Sequence, residues 1–89
     1  MVNAIIEMQK VRTFMRKLDL EWNSQVKSCV LVGFGEINIY LRYGLLPVDF
    51  ASDLMPRAGM FIDFHTAVSV RILDYHCEHE MLVNLNRSL

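Results

Sequence analysis

Residues 65–87, HTAVSVRILDYHCEHEMLVNLNR, admit two readings, and the architecture of this 89-residue chain turns on which one holds. Taken as one helix, they line up Phe64, Val68, Ile72, Tyr75, His79, Leu82 and Val83 in a stripe about 100° wide, with Asp63 or Thr66 as cap. A second apolar line, Val70, Leu73, Cys77 and Met81, then falls on the opposite side. A helix wet on its outer face has no use for both lines, so the second marks a contact surface. Taken instead as a strand, Val68, Val70 and Ile72 alternate with Ser69 and Arg71, and a helix starts near Asp74. The long helix is the favoured reading. Under both, residues 75–86 are helical.

Upstream, the periodicity is plainer. Ala4, Met8, Val11, Met15, Leu18 and Trp22 recur at spacings of three and four, flanked by Ile5 and Phe14, which predicts an amphipathic helix over 3–22 capped by Asn3. The period then changes to two. Cys29, Leu31 and Gly33 alternate with Val30, Val32 and Phe34, and Ile37, Ile39, Leu41 and Tyr43 alternate with Asn38, Tyr40 and Arg42. Two antiparallel strands, about 27–34 and 37–43, turn around Gly35. Pro47, Pro56 and Gly59 leave room for one short helix, about 48–54, ended by Pro56, and then a short strand, Met60 to Asp63. The expected fold is a single α+β domain spanning residues 1–89. It is a two-layer sandwich in which N-terminal and C-terminal helices pack on one face of a small antiparallel sheet.

Composition bears on function more than any motif does. Residues of the AVILMFWYC set make up 53% of the chain; with Gly in and Tyr out the share is about 54%, against the usual 45–50%. Scaling laws give a chain of this mass roughly 5,400 Å² of folded surface against about 15,000 Å² unfolded, so a lone monomer shows more apolar surface than most. Self-association or a dedicated protein partner follows. With 9 Lys+Arg against 10 Asp+Glu, no global field draws the chain to nucleic acid or anionic lipid. The longest apolar run, Cys29 to Phe34, is too short to cross a bilayer, and Glu7, Lys10 and Arg12 interrupt any signal-like segment. A cytoplasmic protein with two reduced cysteines, Cys29 and Cys77, and no membrane contact is expected.

Three constellations carry alternative chemistry. On a helix, His76 would meet His79 at i+3 and Glu80 at i+4, part of a zinc-type site that needs a further ligand such as His65 or Cys29. Exposed polar positions beside an apolar stripe explain the same residues without a metal. Lys10, Arg12, Arg16 and Lys17 on the first helix could follow a phosphate backbone, although they also solvate the margins of a core-facing helix. The order helix, strands, helix resembles in outline a double-stranded-RNA-binding domain. That family's lysine-rich start of the last helix is occupied here by Thr66-Ala67-Val68-Ser69-Val70, so the resemblance does not reach its RNA-contacting lysines. Gly33-Phe34-Gly35-Glu36 reads as a turn, because a strand rather than a helix follows it.

No cofactor is implied and no catalytic set emerges. The expectation is a non-enzymatic interaction module that works as a homo-oligomer and blocks a macromolecular partner, similar in type to small phage-encoded accessory or inhibitor proteins. Its interface is expected along Val70, Leu73, Cys77 and Met81. The alternatives are nucleic-acid binding through the first helix and a small metal or ligand site at His76 and His79.

Overall fold

The computed structural model describes residues 4–33, 35–58 and 68–85. Its elements run α1 (Ala4–Glu21), β1 (Val26–Gly33), β2 (Glu36–Leu41), α2 (Pro47–Ala58), β3 (Val68–Leu73) and β4 (Glu80–Leu85). The strands form one sheet in the order β1-β2-β3-β4. β1 and β2 are antiparallel, β2 and β3 parallel, and β3 and β4 antiparallel. The architecture is α+β, with helices packed against a sheet, as the sequence indicates. Two parts of that expectation change: the sheet is mixed rather than antiparallel, and the helix paired with α1 is α2 rather than a C-terminal one.

The C-terminal helix expected over 65–87, and over 75–86 in either reading, is replaced by the β3–β4 hairpin. The reason lies in how a strand projects onto a helical wheel. Residues i and i+2 share one strand face but stand about 200° apart on a helix. Val68 and Ile72 therefore fell on one helical line and Val70 on the opposite one, although all three point the same way from β3 and are fully buried. Over residues 68–72 the two opposed lines are one strand face. Across the hairpin Val70 pairs with Val83, Val68 with Leu85 and Ile72 with Met81, so β4 continues the alternation.

Asp74 stops the chain from running on as a helix. Its N–H donates to the His79 carbonyl (3.1 Å), and its carboxylate Oδ1 accepts from the N–H groups of Glu78 (2.8 Å) and His79 (3.2 Å). The Cys77 N–H donates to the Asp74 carbonyl (3.0 Å), and Cys77 takes a φ of 58°. A short acidic side chain that satisfies the backbone locally competes with helical bonding and favours a turn.

Both helices cover one face of the sheet. Val11, Phe14, Leu18 and Trp22 of α1 and its end, and Phe50, Ala51 and Leu54 of α2, share one core with Ile37, Ile39 and Leu41 of β2, Val68, Val70 and Ile72 of β3, and Val83 and Leu85 of β4. Phe14, expected at the margin of the α1 stripe, lies at its buried centre, while Met15 is half-buried. Trp22 ties the layers together. It is buried, meets Phe50 edge-on at 6.2 Å, and its Nε1–H donates to Asp53 Oδ2 at 2.6 Å. After Trp22 the chain turns, and Arg42 holds the turn to the end of β2 through its N–H to the Gln25 carbonyl (2.8 Å) and its Nε to the Asn23 carbonyl (2.9 Å).

α2 is longer than the expected 48–54. Pro47 starts it, where a missing N–H costs nothing, and Asp49 sits in its first turn. Pro56 lies inside it near the end, where a proline forfeits a single backbone bond of the last turn while Phe50, Ala51 and Leu54 anchor the helix to the core. The parallel β2–β3 pairing requires a long connection, which α2 provides. The expected strand Met60 to Asp63, the Asn3 cap and the caps at Asp63 and Thr66 lie outside the described residues.

Replacing Trp22 by Ala should lower stability by about 3–5 kcal/mol, read as a fall in the urea midpoint with unchanged slope. Asp74 gives a second check. Burial opposes its ionisation, but the His79 and Glu78 amides, helped by the imidazoles of His79 and His76, hold its carboxyl below the ordinary 3.8. Its support of the turn is therefore present above that range and is lost as pH falls through the depressed folded-state value. An acid titration followed at the Glu78 and His79 amide resonances should show a midpoint below 3.8, and Asp74→Asn should abolish it.

Candidate interaction surface

A mixed sheet with this strand order has two edges, β1 and β4, and they are built differently. The β1 register breaks twice, between Val26 and Ser28 and between Leu31 and Gly33, and Lys27 is exposed at the first break. Bulges and an edge lysine are devices that prevent a strand from pairing with another chain. β4 pairs with β3 without a break over Glu80–Leu85. Its sequence, EMLVNL, holds no proline, glycine or lysine.

The backbone of β4 can be followed group by group. The Asp74–His79 bond makes that pair a hydrogen-bonded one. In an antiparallel ladder bonded and non-bonded pairs alternate, so Met81, Val83 and Leu85 turn their N–H and C=O toward β3. Glu80, Leu82 and Asn84 turn theirs away from the sheet. Among the described residues no strand covers that edge. Leu82 is 66% exposed, and Glu80, Met81 and Asn84 are exposed too.

α2 runs beside this edge and adds apolar surface to it. One hollow of about 460 Å³ is lined by Leu46, Pro47, Val48, His79, Glu80 and Met81. A second, of about 360 Å³, is lined by Ala51, Ser52, Met55 and residues 81–84. Leu46, Val48, Met55, Met81 and Leu82 are all exposed large apolar side chains. The accessible surface, 5704 Å², is close to the roughly 5,400 Å² that scaling gives for a chain of this mass. On the open face of the sheet, Arg71 Nε pairs with Glu80 Oε2 at 3.3 Å, and Ser69 Oγ donates to Asn84 Oδ1 at 3.1 Å.

At the turn end of the hairpin three exposed rings meet edge to face. Tyr43 and Tyr75 are 5.6 Å apart, Tyr43 and His76 5.8 Å, and Tyr75 and His76 5.1 Å, with Lys27 Nζ 5.0 Å from the Tyr75 ring. Such edge-to-face contacts and the cation over a ring hold the cluster without burying it.

The residues singled out from the sequence are redistributed by the hairpin. Val70 is fully enclosed in the core and Leu73 is nearly so. Cys77 is exposed in the turn, and Met81 is exposed on the β4 edge. The helical line through all four does not exist, because β3 and β4 separate its members. His76, His79 and Glu80 likewise lose their i, i+3, i+4 relation. His76 joins the two tyrosines, His79 lines the hollow beside α2, and Glu80 pairs with Arg71. Among the described residues no three His, Cys, Asp or Glu side chains gather closely enough to hold a metal ion; His65 lies outside them. Arg12 and Arg16 are exposed on α1, whereas Lys10 and Lys17 are engaged within the chain. No helix is long and apolar enough to cross a membrane among the described residues.

Sequence reasoning missed Leu82 as an edge residue and missed Tyr43, Leu46, Val48 and Met55. The signal was present only as apolar residues flanking Pro47 and a lysine-free run at 80–85. No protein-family model, curated protein or solved structure matches this chain.

The two thiols make a simple check of the geometry. Burial, and secondarily the charge of Asp19, push the Cys29 thiol up to about 12, while Cys77 is exposed. At pH 8 a thiol-disulfide reagent should modify Cys77 promptly and Cys29 much more slowly; equal rates for the two would contradict the placement of Cys29 on β1 against the core.

Proposed function

We propose that this chain is a non-enzymatic protein-interaction module that acts as a homo-oligomer through its β4 edge. One observation carries the reading: β1 is bulged twice and carries an exposed lysine, whereas β4 pairs without a break, holds its one charged residue, Glu80, in a pair with Arg71, and exposes Leu82 at its middle. An open edge recruits an added strand through backbone hydrogen bonds, with side-chain hollows beside it supplying selectivity. The hollows between α2 and β4 stand where such a strand's side chains would fall. A protein acting this way occupies a surface of its partner instead of transforming a substrate, the mode of small accessory and inhibitor proteins. An exposed free thiol at Cys77 is compatible with a reducing compartment, and the cytoplasm is the location proposed.

The test is light scattering coupled to size exclusion. The parent chain should run as an associated species, and Leu82→Pro should weaken association by about tenfold or more while the circular dichroism spectrum is kept, since the Leu82 N–H makes no bond within the sheet. A monomeric parent at all concentrations sinks the reading. Association should also persist between about 50 and 200 mM salt, whereas nucleic-acid binding through Arg12 and Arg16 would fall steeply over that range.

A further inference from the structure

Resting on the interaction reading above, we infer that the occupant of the β4 edge is β4 of a second copy, antiparallel, with a two-fold axis at Leu82. The outward-facing residues Glu80, Leu82 and Asn84 are spaced symmetrically about Leu82. In this register Leu82 faces Leu82 of the second copy in a hydrogen-bonded pair, and Glu80 faces Asn84. Every outward N–H and C=O of these residues then meets its complement. A shift of the register by two residues leaves one of them without a counterpart among the three, and centring on Glu80 sets two carboxylates opposite each other.

The side chains support the same register. Ser69 Oγ donates to Asn84 Oδ1, which orients the amide and leaves its N–H₂ group to donate across the edge. Opposite it stands Glu80 of the second copy, a carboxylate already held on the sheet surface by Arg71. Each Glu80 gains a donor, each Asn84 an acceptor, and no like charges face each other. On the helix side Met81 lies opposite Val83 of the second copy in a non-bonded pair, where side chains approach most closely. Val48 and Met55 of α2 close over that pair from both copies. The product is one continuous eight-stranded sheet with helices on one face, closed by symmetry because both subunits use the same edge.

Single-cysteine variants on a background with both native cysteines replaced, Cys29→Ala and Cys77→Ser, test the register. In the proposed pairing the Cα atoms of residue 82 in the two copies are about 5.5 Å apart, inside the range a disulfide can bridge. Residue 84 of one copy is then about 14 Å from residue 84 of the other, far outside it. On mild oxidation Leu82→Cys should give mostly covalent dimer. Glu80→Cys and Asn84→Cys should each give at least about tenfold less alone, and should cross-link to each other when the two variants are mixed. In the parent chain the Leu82 amide should become protected from hydrogen exchange as concentration rises, while protection of Val83 is present throughout. If light scattering shows a dimer but Leu82→Cys cross-links no better than Asn84→Cys, and the Leu82 amide stays unprotected, this register is wrong and the interaction reading survives. A monomeric parent removes both.

Discussion

Burial of the helix-facing side of β3 is the constraint from which the rest of the architecture follows. Val68, Val70 and Ile72 are fully enclosed, and a strand whose side chains are enclosed must also have its backbone groups paired on both sides. On one side β2 meets that demand in parallel, with Ile37 beside Val70 and Ile39 beside Ile72. On the other side β4 meets it antiparallel through the Asp74 turn. The parallel pairing in turn demands a long connection, and α2 within it covers the apolar residues that β3 and β4 present. Trp22, in contact with Phe50 and Asp53, locks α1 to α2 over the same core.

Interior pairing of β3 passes the edge to β4. β1 is bulged twice and carries Lys27; it ends the sheet without inviting continuation. β4 is regular, and its outward backbone groups stand between Arg71-paired Glu80 and Ser69-bonded Asn84. Sheet edges are usually blunted because an unpaired ladder is a template for unwanted pairing. The proposed interaction rests on this contrast between one regular edge and one blunted edge. Of the exposed large apolar side chains, Leu46, Val48, Met55, Met81 and Leu82 lie on or beside that edge, while others, Leu20 of α1 and Val30 and Val32 of β1 among them, lie elsewhere.

The turn that makes the hairpin also presents chemistry of its own. Asp74 spends its carboxylate on the backbone of Glu78 and His79, and the residues lifted clear of the sheet, Tyr75 and His76, stack with Tyr43 from the end of β2. Those rings meet edge to face at the turn end of the hairpin.

What was legible in the sequence was whatever could be read within one element. The α1 spacing from Val11 to Trp22, the alternation on β1 and β2 and the turn at Gly35 depend on local periodicity, and Pro47 marks a helix start by its own covalent geometry. The α+β class and the helix-on-sheet layering were legible too, although the helix expected beside α1 was the C-terminal one and not α2. The C-terminal strands were not legible, because a short buried strand projects on a helical wheel as two opposed stripes; only pairing with β2 and with each other distinguishes the cases. The same holds for the candidate surface. Composition alone announced that apolar side chains would remain outside, since a chain of this mass cannot enclose them all. Which ones remain, Leu82 and Met81 rather than Val70, was decided by tertiary structure, because a strand's neighbours determine which backbone groups and which side chains are left without a partner.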